Sequence, residues 1–307
     1  MSISWKGIFP ALTTKFTAND ELDLALFGKN LDAQVSAGVH GIILGGTLGE
    51  ASVLTTNEKE QLVRFAIDRL QGQLPVIINI AEGSTKEAVA QTGLAEKWGA
   101  SGLMLLPPMR YKPDHRETVT YFKTIASQTS LPIMIYNNPV DYKTEITLDM
   151  FDELTAISNI QAVKESTRDV TNVTRMINRF GDRYKILCGV DTLALEELAA
   201  GADGWVAGLV CAFPKETVTL YNLMLAGNLK EARSLYQWFM PLLELDIHPK
   251  LVQYIKLAES MTGIGSEYLR APRLILEGEE RNKISAIIND AMKKIRLLQN
   301  EKLKMNN

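Results

Sequence analysis

Short apolar runs rich in Val, Ile and Leu recur along this chain and alternate with longer segments in which apolar residues follow helical spacing. This alternation is typical of successive βαβ units. Several runs, such as IILG, VIINI and PIMIY, are apolar at consecutive positions, which indicates parallel strands covered on both faces. We predict eight strands: Gly7–Leu12, Gly41–Gly45, Pro75–Ile80, Gly102–Leu106, Pro132–Tyr136, Ile160–Lys164, Tyr184–Cys188 and Gly204–Gly208.

Eight strands that alternate strictly with helices fit a closed (β/α)8 TIM barrel of the α/β class better than an open doubly wound sheet. We predict a catalytic barrel domain over residues 1–225 and a C-terminal helical extension over residues 226–307, which could also supply an oligomer contact. The predicted helices are Asn57–Leu70, Thr85–Trp98, Arg116–Ser127, Leu148–Ile157, Val170–Phe180, Ala194–Ala200, Glu216–Leu225, Leu229–Leu245, Lys250–Ser260 and Asn282–Lys304.

Composition and charge narrow the class of protein. The 33 Lys and Arg residues against 36 Asp and Glu give a formal net charge of −3, which argues against a nucleic-acid surface. No segment reaches the roughly 18 apolar residues of a membrane span, and the start of the chain lacks the pattern of a secretory signal. We therefore predict a cytoplasmic protein that binds neither nucleic acid nor membrane. Cys188 and Cys211 are expected to be ordinary buried thiols.

Three strand ends carry polar residues, and in a barrel of this kind the active site lies at the carboxyl ends of the strands. The second strand ends in GGTLGE, the fifth in YNNP and the sixth in VKES. Lys164 is placed at the end of an otherwise apolar strand, where desolvation would lower its pKa. A neutral amine in that setting can attack a carbonyl carbon and form a Schiff base. The alternative interpretation is a rim ion pair with an acid such as Glu165.

Two further features are candidates for the same site. Tyr136 ends the preceding strand and could relay protons to the amine, or it could be a half-buried aromatic with a backbone partner. The glycines of GGTLGE and the Thr47 hydroxyl could bind a carboxylate or phosphate, or form a tight turn without a ligand. The three histidines are isolated in sequence, so we predict no metal, and the chemistry requires no cofactor.

The order GGTLGE, YNNP and AVKES on the second, fifth and sixth strands resembles the dihydrodipicolinate synthase and N-acetylneuraminate lyase superfamily. The resemblance covers nearly the whole chain. It implies class I aldolase-type chemistry in a barrel that forms tetramers or dimers. By motif, Lys164 would form the Schiff base, Tyr136 would relay protons, and Gly46 with Thr47 would hold the substrate carboxylate.

Within this superfamily the chain departs from the lysine-biosynthetic synthases. It has Leu48 in place of a second threonine, and Arg110 in place of the tyrosine that neighbouring subunits exchange. It also has Asp141 in the region where those synthases carry an arginine for the carboxylate of their aldehyde substrate. A negative Asp141 would repel that substrate, so we disfavour dihydrodipicolinate synthesis. The sialate lyases are also a poor match around YNNPVDYK.

The stretches PPMRYKPD, YNNPVDYKTEIT and HPKLVQYIKLAE resemble the hydroxyproline-degrading branch, the deaminase that converts 1-pyrroline-4-hydroxy-2-carboxylate to 2,5-dioxopentanoate and ammonia. The alternatives are an aldolase or dehydratase for 4-hydroxy-2-oxoglutarate or a 2-keto-3-deoxy sugar acid, and a non-catalytic barrel that binds a small acid. Arg110 or Tyr111 would contact the substrate hydroxyl or belong to a surface loop. The predicted substrate-binding residues are Gly46, Thr47, Leu48, Arg110, Asn138 and Val206.

Overall fold

The computed structural model describes residues 3–108 and 110–305, with side chains described as far as residue 298. Eight short strands, almost entirely buried, form the centre of the molecule. Their positions are each within two residues of the predicted bounds. They are β1 Gly7–Pro10, β2 Ile42–Leu44, β3 Val76–Ile80, β4 Gly102–Leu105, β5 Ile133–Asn137, β6 Ile160–Glu165, β7 Lys185–Cys188 and β8 Gly204–Ala207.

The strands form a single parallel sheet that closes on itself. The pairing order is β1-β8-β7-β6-β5-β4-β3-β2. Between β1 and β2 a parallel bridge joins Ala11 to Ile43, and the Leu12 N–H donates to the Ile43 carbonyl over 2.9 Å. These contacts complete the ring, so the predicted (β/α)8 barrel is confirmed.

Helices surround the barrel and continue beyond it. Capping side chains define several of their starts; for example, Thr55 accepts from the Glu58 N–H, and the Glu58 carboxylate accepts from the Thr55 N–H in return. The helices are α1 Leu24–Ala37, α2 Thr56–Leu70, α3 Thr85–Trp98, α4 His115–Ala126, α5 Pro139–Tyr142, α6 Leu148–Leu154, α7 Thr171–Phe180, α8 Ala194–Ala199, α9 Pro214–Leu225, α10 Leu229–Leu243, α11 Leu251–Thr262 and α12 Gly278–Met305.

Two departures from the predicted helices matter for the site. Directly after β5 the chain forms the single helical turn α5, because the Asn138 side chain accepts from the Asp141 N–H and Pro139 occupies the first helical position. After α10, the helix predicted to run to Leu245 ends at Leu243 and gives way to a 3₁₀ turn over Glu244–Ile247. Both turns lie at the mouth of the barrel.

The helices after the barrel pack tightly against it. Phe239, Leu242 and Leu257 belong to the same buried hydrophobic cluster as the strands. Two buried ion pairs on α11 add to this contact: Glu259 with Lys15, and Lys256 with Glu50. None of the described helices is long and apolar enough to cross a membrane.

Candidate active site

A cavity of about 560 Å³ opens at the carboxyl ends of the strands. Each strand, or the loop that follows it, contributes at least one residue to its wall. The 3₁₀ turn after α10 contributes Asp246 and Ile247, so the cavity is walled partly by the barrel and partly by the helices that follow it. A concave site at this end of a barrel, where polar side chains converge, is the usual location for catalysis.

Lys164 lies on β6 and is 8% exposed. Its Nζ lies 4.0 Å from the centroid of the Tyr136 ring, which the parallel pairing of β5 and β6 sets directly beside it. Burial lowers the pKa of Lys164; Asp246, Tyr142 and Asp191 oppose that shift through space. Among the described residues no carboxylate forms an ion pair with the amine, and burial shifts its equilibrium toward the neutral form.

The predicted alternative for Lys164, an ion pair with Glu165, is not formed. Successive side chains on a strand point to opposite faces, so the two residues diverge. Glu165 accepts hydrogen bonds from the Thr167 N–H over 2.7 Å and from Asn172 Nδ2 over 2.8 Å. Gly189 leaves room for the lysine, since a Cβ at that position would lie 2.7 Å from Lys164 Cγ. Sequence reasoning did not identify Gly189, which gives no signal beyond its position after β7.

Tyr136 is buried, and its hydroxyl accepts a hydrogen bond from Asn138 Nδ2 over 3.0 Å. The partner is therefore a side chain, where the alternative interpretation expected a backbone group. Burial raises the pKa of Tyr136, so the phenol keeps its proton and can donate it. Asn138 Nδ2 also donates to the Asp141 carboxylate over 2.8 Å, which fixes the amide between the two groups.

Tyr142, at the end of α5, was not predicted as a site residue. Its hydroxyl lies 2.9 Å from Thr47 Oγ1, and its ring meets the Tyr136 ring edge-on at 5.5 Å. Burial raises the pKa of Tyr142 to about 12. The signal that could have found it is the helical turn after YNNP, which brings a residue three positions beyond Pro139 back toward the strand end. Thr47, Tyr142 and Tyr136 thus bring three hydroxyl groups into one wall.

The glycine-rich loop after β2 bends sharply. Gly45 has φ +69°, a left-handed conformation that glycine adopts without steric cost, and its carbonyl accepts from Asn79 Nδ2 over 3.0 Å. The bend directs Gly46, Thr47 and Leu48 into the cavity wall. Their peptide groups and the Thr47 hydroxyl are therefore available to a bound carboxylate.

Two acidic residues of the cavity region were also missed by sequence reasoning. Asp191, in the turn after β7, is fully buried and accepts hydrogen bonds from Trp205 Nε1 and from the N–H groups of Gly208 and Leu209. Asp246 comes from the 3₁₀ turn after α10 and lines the cavity itself. Nothing in the sequence links Asp246 to the strand ends, because its position depends on how the helices after the barrel pack.

The predicted site residues divide between two cavities. Lys164, Tyr136, Gly46, Thr47, Leu48, Asn138 and Val206 all line the cavity described above. Arg110 does not; it lines a neighbouring cavity that shares Gly46, Thr47, Asn79 and Tyr142 with the first. Tyr111 is 58% exposed on the same loop. Within the described ranges, no three His, Cys, Asp or Glu side chains come together in an arrangement that could hold a metal ion.

Comparisons with known proteins identify the family to which this fold and sequence are similar. The family model described as the dihydrodipicolinate synthetase family matches residues 4–291. A 4-hydroxy-tetrahydrodipicolinate synthase of Exiguobacterium sibiricum is 34% identical over 248 residues, covering 80% of this chain and 85% of the relative. The crystal structure of dihydrodipicolinate synthase from Aquifex aeolicus is 30% identical, with a TM-score of 0.88 over 93% of this chain and 98% of that chain. The structure of a dihydrodipicolinate synthase from Bacillus anthracis is also 30% identical, with a TM-score of 0.90 over 94% of this chain and 99% of that chain.

Proposed function

This chain belongs to the dihydrodipicolinate synthetase family, and we propose that it deaminates 1-pyrroline-4-hydroxy-2-carboxylate to 2,5-dioxopentanoate and ammonia. Family membership makes the chain an enzyme, a lyase that forms a Schiff base with its substrate. The proposed substrate is a small 2-imino acid with one carboxylate and a hydroxyl group at C4. The proposed reaction uses no cofactor.

The observation that carries this proposal is a buried, unpaired amine in a cavity that also contains two aspartates. Lys164 is the amine, and Asp141 and Asp246 line the same cavity. The Asp141 carboxylate disfavours a second carboxylate on the substrate, and both aspartates offer hydrogen-bond acceptors to a hydroxyl or amino group. The proposed substrate carries a single carboxylate, together with the hydroxyl and nitrogen that such a cavity favours.

The reaction begins with binding and ring opening. The peptide groups of Gly46 and Leu48 and the Thr47 hydroxyl hold the substrate carboxylate. The Lys164 amine attacks C2 and displaces the ring nitrogen, which leaves as a primary amine still attached through C5. The new Schiff base at C2 acidifies the protons on C3. Asn138 and Val206 complete the substrate contacts, while Arg110 is left out of them because it lines the neighbouring cavity.

Elimination and hydrolysis follow. The primary amine released from the ring takes a C3 proton, which gives an enamine. This enamine expels the C4 hydroxyl group while the Tyr136 phenol relays protons. Proton shifts then move the remaining unsaturation to C5. Water releases ammonia at C5 and 2,5-dioxopentanoate at Lys164, so one water is lost in the elimination and two are consumed in the hydrolyses. The raised pKa of Tyr136 suits this role because the phenol stays protonated until it is needed.

A second candidate function is 4-hydroxy-tetrahydrodipicolinate synthesis, which the names of the curated relatives favour. The residues of this cavity argue against it. Asp141 stands where an arginine would be needed to attract the carboxylate of the aldehyde substrate, and its carboxylate is fixed by Asn138. Direct assay of both reactions therefore decides between the two candidates.

The first test is borohydride reduction in the presence of pyruvate, read by mass spectrometry of the intact chain and of its peptides. A covalent adduct on Lys164 is expected; its absence would contradict Schiff-base chemistry at this residue. The second test compares ammonia release from 1-pyrroline-4-hydroxy-2-carboxylate, pyruvate release from 4-hydroxy-2-oxo acids, and condensation of pyruvate with aspartate semialdehyde. Ammonia release should dominate by kcat/KM. Faster condensation would identify the synthase instead, and faster pyruvate release an aldolase.

Three wider features of the protein remain proposals. Residues 1–225 form the catalytic barrel, and residues 226–307 form a helical extension that supplies one wall of its cavity.

The exposed apolar residues Leu274 and Ile275 support assembly into a homodimer or homotetramer, which sedimentation velocity would measure. A cytoplasmic location is supported by Cys188 and Cys211, which are both buried free thiols.

A further inference from the structure

Asp246 reaches the Lys164 cavity from outside the barrel. It lies in the 3₁₀ turn Glu244–Ile247, and its carboxylate sits against Gly208, just after β8. A Cβ on residue 208 would come within 1.9 Å of Asp246 Oδ1, which no real side chain tolerates. The absence of a side chain at Gly208 therefore leaves the space that the Asp246 carboxylate occupies in the cavity wall.

Two aspartates lie in this region, and their hydrogen bonds differ. Asp191 accepts hydrogen bonds from three donors: Trp205 Nε1 over 2.9 Å, the Gly208 N–H over 3.1 Å and the Leu209 N–H over 2.7 Å. Asp246 Oδ1 is buried, yet it has no hydrogen-bond partner among the described residues. Buried polar atoms are almost always paired, and Asp246 lines the cavity, so the missing partner is expected to be a group bound there.

The surroundings of Asp246 favour its protonated form. Burial raises the pKa of Asp246 well above its usual value, and the negative charges of Asp191 and Asp141 act in the same direction. Lys164 opposes them, but its own burial favours the neutral amine. A carboxylic acid whose pKa is raised is protonated over a wider pH range and can act as a general acid.

We propose that Asp246 is the catalytic acid that protonates the C4 hydroxyl group as it leaves the substrate. This inference rests on the proposed deamination. In this step the enamine electrons form the C3–C4 double bond and restore the Schiff base at C2. The C4–O bond breaks, its electron pair stays on oxygen, and the Asp246 proton bonds to that oxygen to release water. Asp246 is left as a carboxylate, and solvent returns its proton after product leaves.

The step is tested with two substrates that differ only in the leaving group: 1-pyrroline-4-hydroxy-2-carboxylate and 4-fluoro-1-pyrroline-2-carboxylate. Hydroxide needs a proton to leave, and fluoride does not. In Asp246→Asn, kcat for the hydroxy substrate should fall about 100-fold, whereas kcat for the fluoro substrate should fall less than about fivefold. The borohydride-trapped adduct with pyruvate should persist, because Lys164 is untouched.

Gly208→Ala provides a matched second variant. It retains the aspartate but displaces its carboxylate, so it should show the same selective loss on the hydroxy substrate. This variant also keeps the inference testable if Asp246→Asn does not fold. Asp246→Glu should recover part of the activity on the hydroxy substrate. Equal losses on the two substrates in both variants would overturn the role of Asp246 as an acid.

The outcomes also separate this inference from the function on which it rests. If the wild-type enzyme releases no ammonia from either substrate, the proposed deamination is wrong and the role of Asp246 in it falls too. If the wild-type enzyme releases ammonia but both variants lose the two activities equally, only the role of Asp246 is wrong. Selective loss on the hydroxy substrate supports both.

Discussion

Two regions of this molecule bury lysine side chains, and they differ in whether the buried amine has an ion-pair partner. Where α11 meets the barrel, Lys15 Nζ lies 2.8 Å from Glu259, and Lys256 Nζ lies 2.5 Å from Glu50, with all four side chains fully buried. At the mouth of the barrel, Lys164 is nearly as buried but forms no ion pair among the described residues. Burial lowers the pKa of Lys256 to about 8 even beside Glu50, so burial is common to both regions. What sets Lys164 apart is that its amine lines the cavity and has no ion-pair partner among the described residues.

The difference follows from desolvation. Removing an ammonium group from water costs several kcal/mol unless a carboxylate and further hydrogen bonds compensate it. Lys15 has both, since its ammonium group pairs with Glu259 and also donates hydrogen bonds to the carbonyl oxygen and hydroxyl of Thr13. Lys164 lies beside the aromatic ring of Tyr136, and its nearest carboxylates are more distant. Loss of its proton therefore reduces the desolvation cost of burying this amine. The first region joins the helical extension to the barrel, and the second contains the proposed nucleophile.

The largest expected effect follows from removing the unpaired amine. Lys164→Met should lower kcat by about 10⁴-fold or more, because the covalent intermediate can no longer form. Ammonia release and borohydride trapping measure the loss. The variant should unfold at a higher temperature than the wild-type protein, since a desolvated amine is replaced by an apolar chain. Lys185→Met, at the amino end of the adjacent strand β7, is the control and should keep normal turnover.

Removing a carboxylate from the paired region should affect stability instead. Glu259→Gln leaves the Lys15 ammonium buried without its counterion, and such changes cost about 3–5 kcal/mol of unfolding free energy. Chemical denaturation followed by circular dichroism measures this loss. Adduct formation on Lys164 by the folded fraction should be unchanged.

The double variant Lys15→Met with Glu259→Leu is the matched control. It removes both charges, and well-packed apolar replacements of a buried pair are often neutral or stabilising. It should therefore recover most of the stability that Glu259→Gln loses. A double variant as unstable as the single one would mean that hydrogen bonds to Thr13 and Asn30, rather than charge pairing, dominate this region.

The sequence was sufficient to place Lys164 at the cavity but not the complete wall around it. The eight strands could be predicted because each is a local apolar run, and strand ends of a parallel barrel necessarily meet at one rim. Lys164, Tyr136 and Thr47 follow from that rule. Asp246 does not, because it reaches the rim through the packing of α10 and α11, which no local pattern encodes.

Two residues near the rim show where local reasoning fails. Tyr142 enters the cavity only because the Asn138 cap starts a helical turn immediately after β5. Arg110 follows β4, yet its loop directs it into the neighbouring cavity. The side of a loop that faces a site depends on contacts distant in sequence, and motif position alone does not determine it.

The pH dependence of adduct formation distinguishes an unpaired buried lysine from an ordinary one. The neutral amine is the nucleophile, so the rate should fall about tenfold for each pH unit below the pKa of Lys164. Because burial lowers the pKa of Lys164 from 10.5, the half-maximal rate is expected below pH 10.5. Stopped-flow measurement of Schiff-base formation with pyruvate gives the midpoint. A midpoint at or above 10.5 would contradict desolvation of the amine.

Stability should respond to pH with a defined sign. Between the lowered pKa of folded Lys164 and the 10.5 of an unfolded lysine, the unfolded chain binds more protons than the folded chain. This lysine therefore makes the unfolding free energy rise with pH in that window, and it destabilises the fold below it. The difference in unfolding free energy between wild type and Lys164→Met isolates this contribution. A difference that does not change with pH would contradict the shift.

The smallest expected effect concerns a neutral pair beside the reactive lysine. Tyr142→Phe removes the hydrogen bond between its hydroxyl and Thr47 Oγ1, a loss of about 1 kcal/mol, so kcat/KM should fall about fivefold. Thr47→Val removes the same bond from the other side. If the two hydroxyls act only as a pair, the double variant should be no worse than the poorer single variant. Additive losses in kcat/KM would show that each hydroxyl contacts the substrate independently. Substrate binding near Lys164 would then depend on individual hydroxyl groups and not on the pair that they form.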